Sequence, residues 1–311
     1  MKKTQVALAA LALVASTAAL AGDVTVYGTV DVSIVNSTSG TGMGGLGNNQ
    51  GSIFGFKGSE DLGGGLTAGF NLEGGYTAAN GAAGGNGGDP NGLFNRAANV
   101  SLGTADVGIT LGTQITPFIT GILTGANGAG GNGVFVPGLI RATGGGSGIG
   151  AITNAGTGTN GFFIPNAVSV RASGGGIGFN ALTTAGEKAS GTNSKYSAGS
   201  LTGALGPVNL ALAYQTQQTD STDTVSNTAI GTNTSLGELG VHLMYSDNSN
   251  KGATGNSTGY QLGVSYPLTA SLKAGLAHAD NKNYGQGSQT SLSLDYSLSK
   301  RTLAYATYSR F

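Results

Sequence analysis

SIFGFKGSEDLGGGLTAGFNLEGGY, residues 52–76, decides how the rest of the chain is read. In its second half Leu66, Ala68, Phe70 and Leu72 share one parity, and Thr67, Asn71 and Glu73 share the other. A period of two over that length is a strand signal. The connecting EDLGGG at 60–65 suits a tight turn, because glycine tolerates positive φ. The stretch therefore reads as a β-hairpin with one apolar and one polar face. Whether the apolar face meets a protein core or lipid fixes the fold.

Composition narrows the choice. The chain has 311 residues, 59 of them glycine, without the strict triplet period of collagen. Charged residues make up 9%, against roughly 25% in ordinary soluble domains. That argues against a polyelectrolyte-type disordered protein and against a nucleic-acid partner, which needs basic patches. With no cysteine, thiolate metal sites, disulfides and cysteine catalysis are excluded together. At the start, Lys2 and Lys3 precede an apolar run over 6–20, and Ala19-Leu20-Ala21 has the small-x-small pattern of a cleavage site. Residues 1–21 are expected to be a secretory signal peptide, and 22–311 a single barrel domain. No later run of 18 apolar residues announces a membrane helix.

From Val24 onward, strand follows strand. Val24, Val26, Gly28, Val30, Val32 and Ile34 alternate with polar residues, and fifteen such runs can be counted to the end of the chain. Short turns, at 103–106, 205–207, 236–238, 267–269 and 298–301, alternate with longer polar loops. No helical period is sustained over three turns. Residues 113–165, rich in Gly, Asn and Thr and broken by Pro117, Pro137 and Pro165, form one long irregular segment, either functional or disordered. Short turns, long loops and strands of about ten residues describe an outer-membrane barrel. Only a closed barrel lets strands cross lipid with their backbone groups paired. A soluble β-sandwich would carry a charged exterior, whereas here the face opposite the apolar one is Thr, Ser, Asn and Gln. Tyr76, Tyr214, Tyr245, Tyr266, Tyr284, Tyr296 and Tyr308 lie near strand ends, as in an interfacial girdle. The expected fold class is an all-β, transmembrane antiparallel β-barrel.

Longer motifs carry a family resemblance. VTVYGTVDVSI, IFGFKGSEDLGGGLTAGFNLE, LFNRAANVSLG, VGITLGTQITPF, PNAVSVRAS, GPVNLALAYQT and LSLDYSLSKRTLAYATYSRF span nearly the whole chain after residue 21. Together they resemble the general diffusion porins of Gram-negative bacteria, above all those of β-proteobacteria. The resemblance implies a 16-stranded barrel in outer-membrane lipid, usually a homotrimer. Its third outer loop, here 113–165, folds inward and narrows the pore. Small hydrophilic solutes and ions cross passively, without a cofactor.

The chain also departs from that pattern. Such porins set ion selectivity with wall arginines facing loop carboxylates, and charge acts strongly where water is scarce. From Val107 to Gly186 there is no Asp or Glu, and Arg141 and Arg171 are the only charged residues within that segment. Ile53 stands where arginine is common before FGFKG, Thr113 where LGRQ has arginine, and Pro165 where a basic residue precedes the asparagine. Arg96 is the wall arginine that remains. Candidate pore-lining residues are Lys57, Glu73, Arg96, Gln114, Arg141 and Arg171. The expectation is weak ion selectivity with a mild anion preference through Arg96, Arg141 and Arg171, opposed at the mouth by Asp89, Asp220, Asp223, Asp247 and Asp280. At the other end, Phe311 resembles the terminal residue of a closing strand, but Ser309 stands on its face where that signal has a hydrophobic residue, and the resemblance calls for one strand beyond this last run. A lost strand, a miscount across 113–165 and an incomplete product each account for fifteen.

Other classes fare less well. The two histidines, His242 and His278, sit within strand patterns and not beside a nucleophile, so no hydrolase constellation forms. Glycine-rich runs do not bridge a strand and a helix, which excludes nucleotide binding. A barrel adhesin remains an alternative, as does a substrate-specific porin, although Phe118, Phe135, Phe162 and Phe163 are the only aromatics available for a binding track at the constriction.

Overall fold

The strand periodicity translates into one continuous antiparallel sheet. A computed structural model describes residues 24–38, 40–44, 51–83, 92–126, 162–185, 195–218, 224–250, 256–283 and 287–310. The expected signal peptide, Arg141, Phe135, Tyr284, Asp89, Asp220 and Asp223 lie outside them. In chain order the strands are β1 (Thr25–Thr29), β2 (Ser33–Ser37), β3 (Gly40–Gly44), β4 (Ile53–Gly63), β5 (Leu66–Thr77), β6 (Ala82–Ala83), β7 (Ala97–Gly103) and β8 (Val107–Ile115). One helix, α1 (Pro117–Ala126), comes next. Then follow β9 (Phe163–Gly174), β10 (Ile177–Thr184), β11 (Lys195–Leu205), β12 (Val208–Gln218), β13 (Thr224–Leu236), β14 (Leu239–Asn250), β15 (Ser257–Pro267), β16 (Leu272–Asn283), β17 (Gly287–Ser297) and β18 (Leu303–Arg310).

Fifteen of these strands form a single path, β1-β4-β5-β7 and then β8 to β18 in order, and β6 joins its edge by pairing with β5. The fifteen expected runs and the fifteen strands of the path coincide. The two ends of the path meet where the Tyr305 hydroxyl donates to Asp31 Oδ1 at 2.7 Å. The sheet thus curls round until its last strand reaches the segment that follows the first.

The opening hairpin pairs from Ile53↔Gly75 to Gly63↔Leu66, with a register shift between Asp61 and Gly63. Gly63, Gly64 and Gly65 all have positive φ, at 86°, 63° and 81°, which explains why this turn is built of glycine. The Gly63 N–H donates to Asp61 Oδ1 at 2.8 Å and closes the turn.

The two faces of the sheet differ as the alternation requires. Leu212, Ile230, Leu243, Leu262, Leu276 and Leu292 are exposed on one face, with Tyr214, Tyr245, Tyr266, Tyr296 and Tyr308 exposed on the same parity. The opposite parity carries buried Gln215, Asn227, His242, Gln261, Ser291 and Ser293. An apolar outer belt with tyrosines, round a polar interior, is the inside-out arrangement of a lipid-spanning barrel. Among the described residues no helix is long and apolar enough to cross a membrane.

Three expectations need correcting. The apolar alternation over 24–34 does not make one strand: β1 stops at Thr29, where Asp31 bonds Ser52 through its own N–H and C=O. The segment 36–51, read as loop, contains a hairpin, with Ser33↔Gly44 and Ser37↔Gly40 pairing. Pro165, read as a strand breaker, lies inside β9. There Pro165 and Asn166 stand opposite Thr113, because the ladder jumps from Gly112↔Ala167 to Gln114↔Ile164. A proline without an N–H is tolerated at such a bulge.

Candidate functional site

Two sectors of the inner wall hold the chemistry. The first is built on β1, β4, β5 and the entry to β7. Cross-strand pairing brings Tyr27 opposite Gly55, Lys57 opposite Asn71, and Gly55 opposite Glu73. Because Gly55 has no side chain, the Tyr27 ring lies across it: a Cβ at that position would come within 2.6 Å of the ring. Thus placed, the Tyr27 hydroxyl is 2.8 Å from both Asn71 Oδ1 and Glu73 Oε2. The other Glu73 oxygen takes the Arg96 Nε–H at 2.6 Å, an ion pair with side-chain exposures of 15% and 19%. Arg96 is held twice more: its N–H donates to the Glu73 carbonyl, and its guanidinium carbon sits 4.4 Å from the Phe163 ring centroid. The Lys57 ammonium lies 5.2 Å from the Tyr27 ring centroid, and Lys57 is exposed. Cation–aromatic contacts of this kind orient a charge without neutralising it.

The second sector receives α1. Thr116 caps the helix: the Phe118 N–H donates to Thr116 Oγ1 at 3.2 Å, and Pro117 occupies the first helical position, where its missing N–H is no loss. Thr116 and Tyr196 share a 2.6 Å hydrogen bond, and the Tyr196 hydroxyl donates to Gln215 Oε1 at 2.6 Å. One chain of hydrogen bonds therefore runs from the helix backbone into the wall of β11 and β12. Phe118, Ile119 and Ile122 are buried against a pad of Ala198, Ala213, Ala229, Met244 and Ala279 on the inward parity of the strands. Small wall residues leave room for the helix. At Gly121 the fit is tightest, since a Cβ there would come within 2.5 Å of Ser200 Cβ. Glycines are poor helix formers, so α1 depends on this docking and not on its own propensity.

The base of the excursion is pinned. Thr116 N–H donates to the Phe162 carbonyl at 2.9 Å, beside the Ile115↔Phe163 pair. The Arg96–Phe163 contact ties this base to the first sector.

Of the candidates, Glu73 and Arg96 are paired, and Lys57 joins them through the Tyr27 ring. Gln114 and Arg171 stand apart, which corrects their assignment to a constriction. Gln114 is buried at the β8–β9 bulge: its Oε1 accepts from Ser169 Oγ at 2.5 Å, and its Nε2 lies 3.3 Å from the Thr110 carbonyl and 3.5 Å from that of Ala167. Its side chain is used up in holding the bulge. Arg171 donates to the Ala105 and Thr104 carbonyls at 3.0 and 2.7 Å, capping the short turn between β7 and β8 at the end of the barrel opposite the helix. Arg141 lies outside the described residues. Tyr27, Thr116 and Tyr196 were missed by the sequence reading. Of these, Thr116-Pro117 ahead of Phe118, Ile119 and Ile122 was a readable helix-start signal.

Neither histidine assembles a reactive group. His242 lies over Gly263, its cross-strand partner, 3.3 Å from the Gln261 amide. His278 faces outward, with Nδ1 2.8 Å from Thr290 Oγ1 and its ring beside Tyr260. Among the described residues no group of three or more His, Cys, Asp or Glu could hold a metal ion.

Known proteins share this architecture. The family profile described as Gram-negative porin matches residues 7–311. Outer membrane porin protein 32 of Delftia acidovorans is 40% identical over 123 residues, which is 38% of this chain and 33% of that protein, so the match spans about a third of the relative's length. The solved anion-selective porin from Comamonas acidovorans superposes with a TM-score of 0.74 at 23% identity, over 92% of this chain and 88% of that one. Salmonella typhi OmpF, solved with daunomycin, gives a TM-score of 0.68 at 11% identity, over 93% and 90% of the two chains.

Proposed function

The chain belongs to the Gram-negative porins, β-barrel proteins of the outer membrane, and from that premise we propose that it forms a passive aqueous pore for small hydrophilic solutes and ions, with weak ion selectivity that leans toward anions. The observation that carries this reading is the sheet itself: an apolar belt outside, a polar wall inside, and on that wall the Lys57–Glu73–Arg96 cluster with one positive charge in excess. No acidic residue between Val107 and Gly186 answers it. In this reading the segment 113–165 is the inward constriction, and its helical start rests on the β11–β13 wall through Phe118, Ile119 and Ile122.

Conduction would follow from geometry and electrostatics alone. A solute shorn of part of its hydration meets hydroxyls and amides that replace lost water contacts, and a narrow, low-dielectric passage strengthens the field of any wall charge. The cluster would raise the local concentration of anions slightly without binding them. The family resemblance further points to a homotrimer, which light scattering of the detergent-solubilised protein would count. Planar bilayers test the pore directly. Stepwise conductance increments, with a reversal potential in a salt gradient displaced modestly toward the anion equilibrium value, are the expected outcome. Insertion without current steps would favour the adhesin reading instead, and strong cation selectivity would refute the anion lean.

A further inference from the structure

Resting on the pore reading above, we propose that Lys57 is the residue that sets the sign of the ion preference, and that the neighbouring Glu73–Arg96 pair is electrostatically silent and serves to position the base of the inward segment.

Four described cations fall on the inward side of the wall, and their surroundings differ. Arg96 is matched by Glu73 at 2.6 Å and lies against Phe163. Lys273 stands directly across the ladder from Asp295. Arg171 is spent on two turn carbonyls far from the helix. Of these four, Lys57 and Arg171 are exposed and take no part in the Glu73–Arg96 ion pair; Arg171 is tied to its turn at the end of the barrel, whereas Lys57, held by the Tyr27 ring beneath it, stands on the wall beside that pair. The Tyr27 hydroxyl meanwhile reinforces the Glu73 side of the pair, so one side chain both supports the free charge and secures the neutralised one. Asp31, on the segment that follows β1, is buried and turned toward Tyr305.

A close pair of opposite charges presents only a dipole to a passing ion, whereas an unpaired ammonium presents a full charge. Small inorganic or carboxylate anions are therefore the solutes that feel Lys57. The pair has a different use. Arg96 joins Glu73 on β5 to Phe163, and Phe163 opens β9 at the point where the chain returns from its excursion. Arg96 is thus a positioning residue.

The experiment measures reversal potentials in a potassium chloride gradient across planar bilayers for five proteins: wild type, Lys57→Gln, Lys57→Glu, Lys57→Arg, and the double variant Glu73→Gln with Arg96→Gln. Lys57→Gln should lower the anion-to-cation permeability ratio roughly threefold, the combined Boltzmann factors that one unit charge about 12 Å from the ion path in water exerts, with opposite sign, on an anion and a cation. Lys57→Glu should lower it roughly tenfold, because the change in charge doubles. The double variant should keep the wild-type ratio while its open-channel current becomes noisier. Lys57→Arg restores the wild-type ratio if charge is the cause. A Lys57→Gln ratio equal to wild type, or a double variant that shifts as far as Lys57→Gln, overturns the assignment. A wild type that prefers cations would refute the anion lean by itself. The differences between variants and wild type would still judge Lys57.

Discussion

The wall that carries α1 and the wall that carries the charges solve opposite problems. On β11 to β13 the inward positions beneath α1 include the small residues Ala198, Ser200, Ala213 and Ala229, and they form a recess into which Phe118, Ile119 and Ile122 pack out of water. On β1, β4 and β5 the inward residues of the site are long and polar, and each is fixed by a specific partner: Tyr27 across Gly55, Glu73 between Tyr27 and Arg96. The first wall gains its order from burial, which is non-directional and tolerates sliding. Order in the second comes from hydrogen bonds and an ion pair, which fix angles as well as distance. Holding a segment in place calls for the former, and holding a charge at a defined spot in a lumen calls for the latter.

Substitutions that strike one wall and spare the other test this division. The largest effect is expected for Phe118→Ala. Phe118 is fully buried, and removing a buried aromatic ring costs about 3–5 kcal/mol. The helix should come loose from its recess, so single-channel records should show added substates and noise at an unchanged reversal potential. Tyr196→Phe should be milder. It severs the link between Thr116 and Gln215 inside a buried site, at about 2 kcal/mol. Protease protection around 117–126 should fall, with selectivity again unaltered. Smallest is Tyr27→Phe. Glu73 keeps Arg96 and the ring stays beneath Lys57, so about 1 kcal/mol is lost. A small drop in the melting temperature of the detergent-folded barrel, followed by circular dichroism, is the expected readout. A reversal potential displaced by Phe118→Ala as far as by Lys57→Gln would show that the two walls do not divide the work in this way.

Much of the fold was legible because a strand in a barrel writes its environment into every second residue. The β12 run Val208–Gln218, with Leu210, Leu212 and Tyr214 outward and Ala211, Ala213 and Gln215 inward, has one interpretation once lipid is the outer medium. Pairing across short turns such as Leu205↔Val208 follows from chain connectivity. What periodicity could not supply was anything that depends on a partner distant in sequence. Gln114 and Arg171 have the composition of pore residues, yet one is consumed by Ser169 and backbone carbonyls, and the other by a turn more than sixty residues earlier in the chain. The same limit hid Tyr27, whose importance comes from contacts with Glu73 and Lys57 that no local pattern announces. Helix α1 escaped notice for a different reason. At ten residues, with glycines inside, it is too short to show a sustained period, and it exists because a recess awaits it.

The Tyr305–Asp31 hydrogen bond joins residues 274 positions apart. The other pairings of the described path join strands much closer in the chain, the widest gap being that between β8 and β9. This seam cannot form until every strand between its two ends is in place. Topology of that kind is slow to assemble, because the entropy of a very long loop must be overcome before the last contacts repay it. Until then the apolar belt and two strand edges stand open to water, which is the condition for aggregation. The chain therefore has a long vulnerable interval between synthesis and closure. Its refolding yield from denaturant should depend far more on protein dilution and on the presence of bilayer or detergent than on the temperature at which the finished barrel melts.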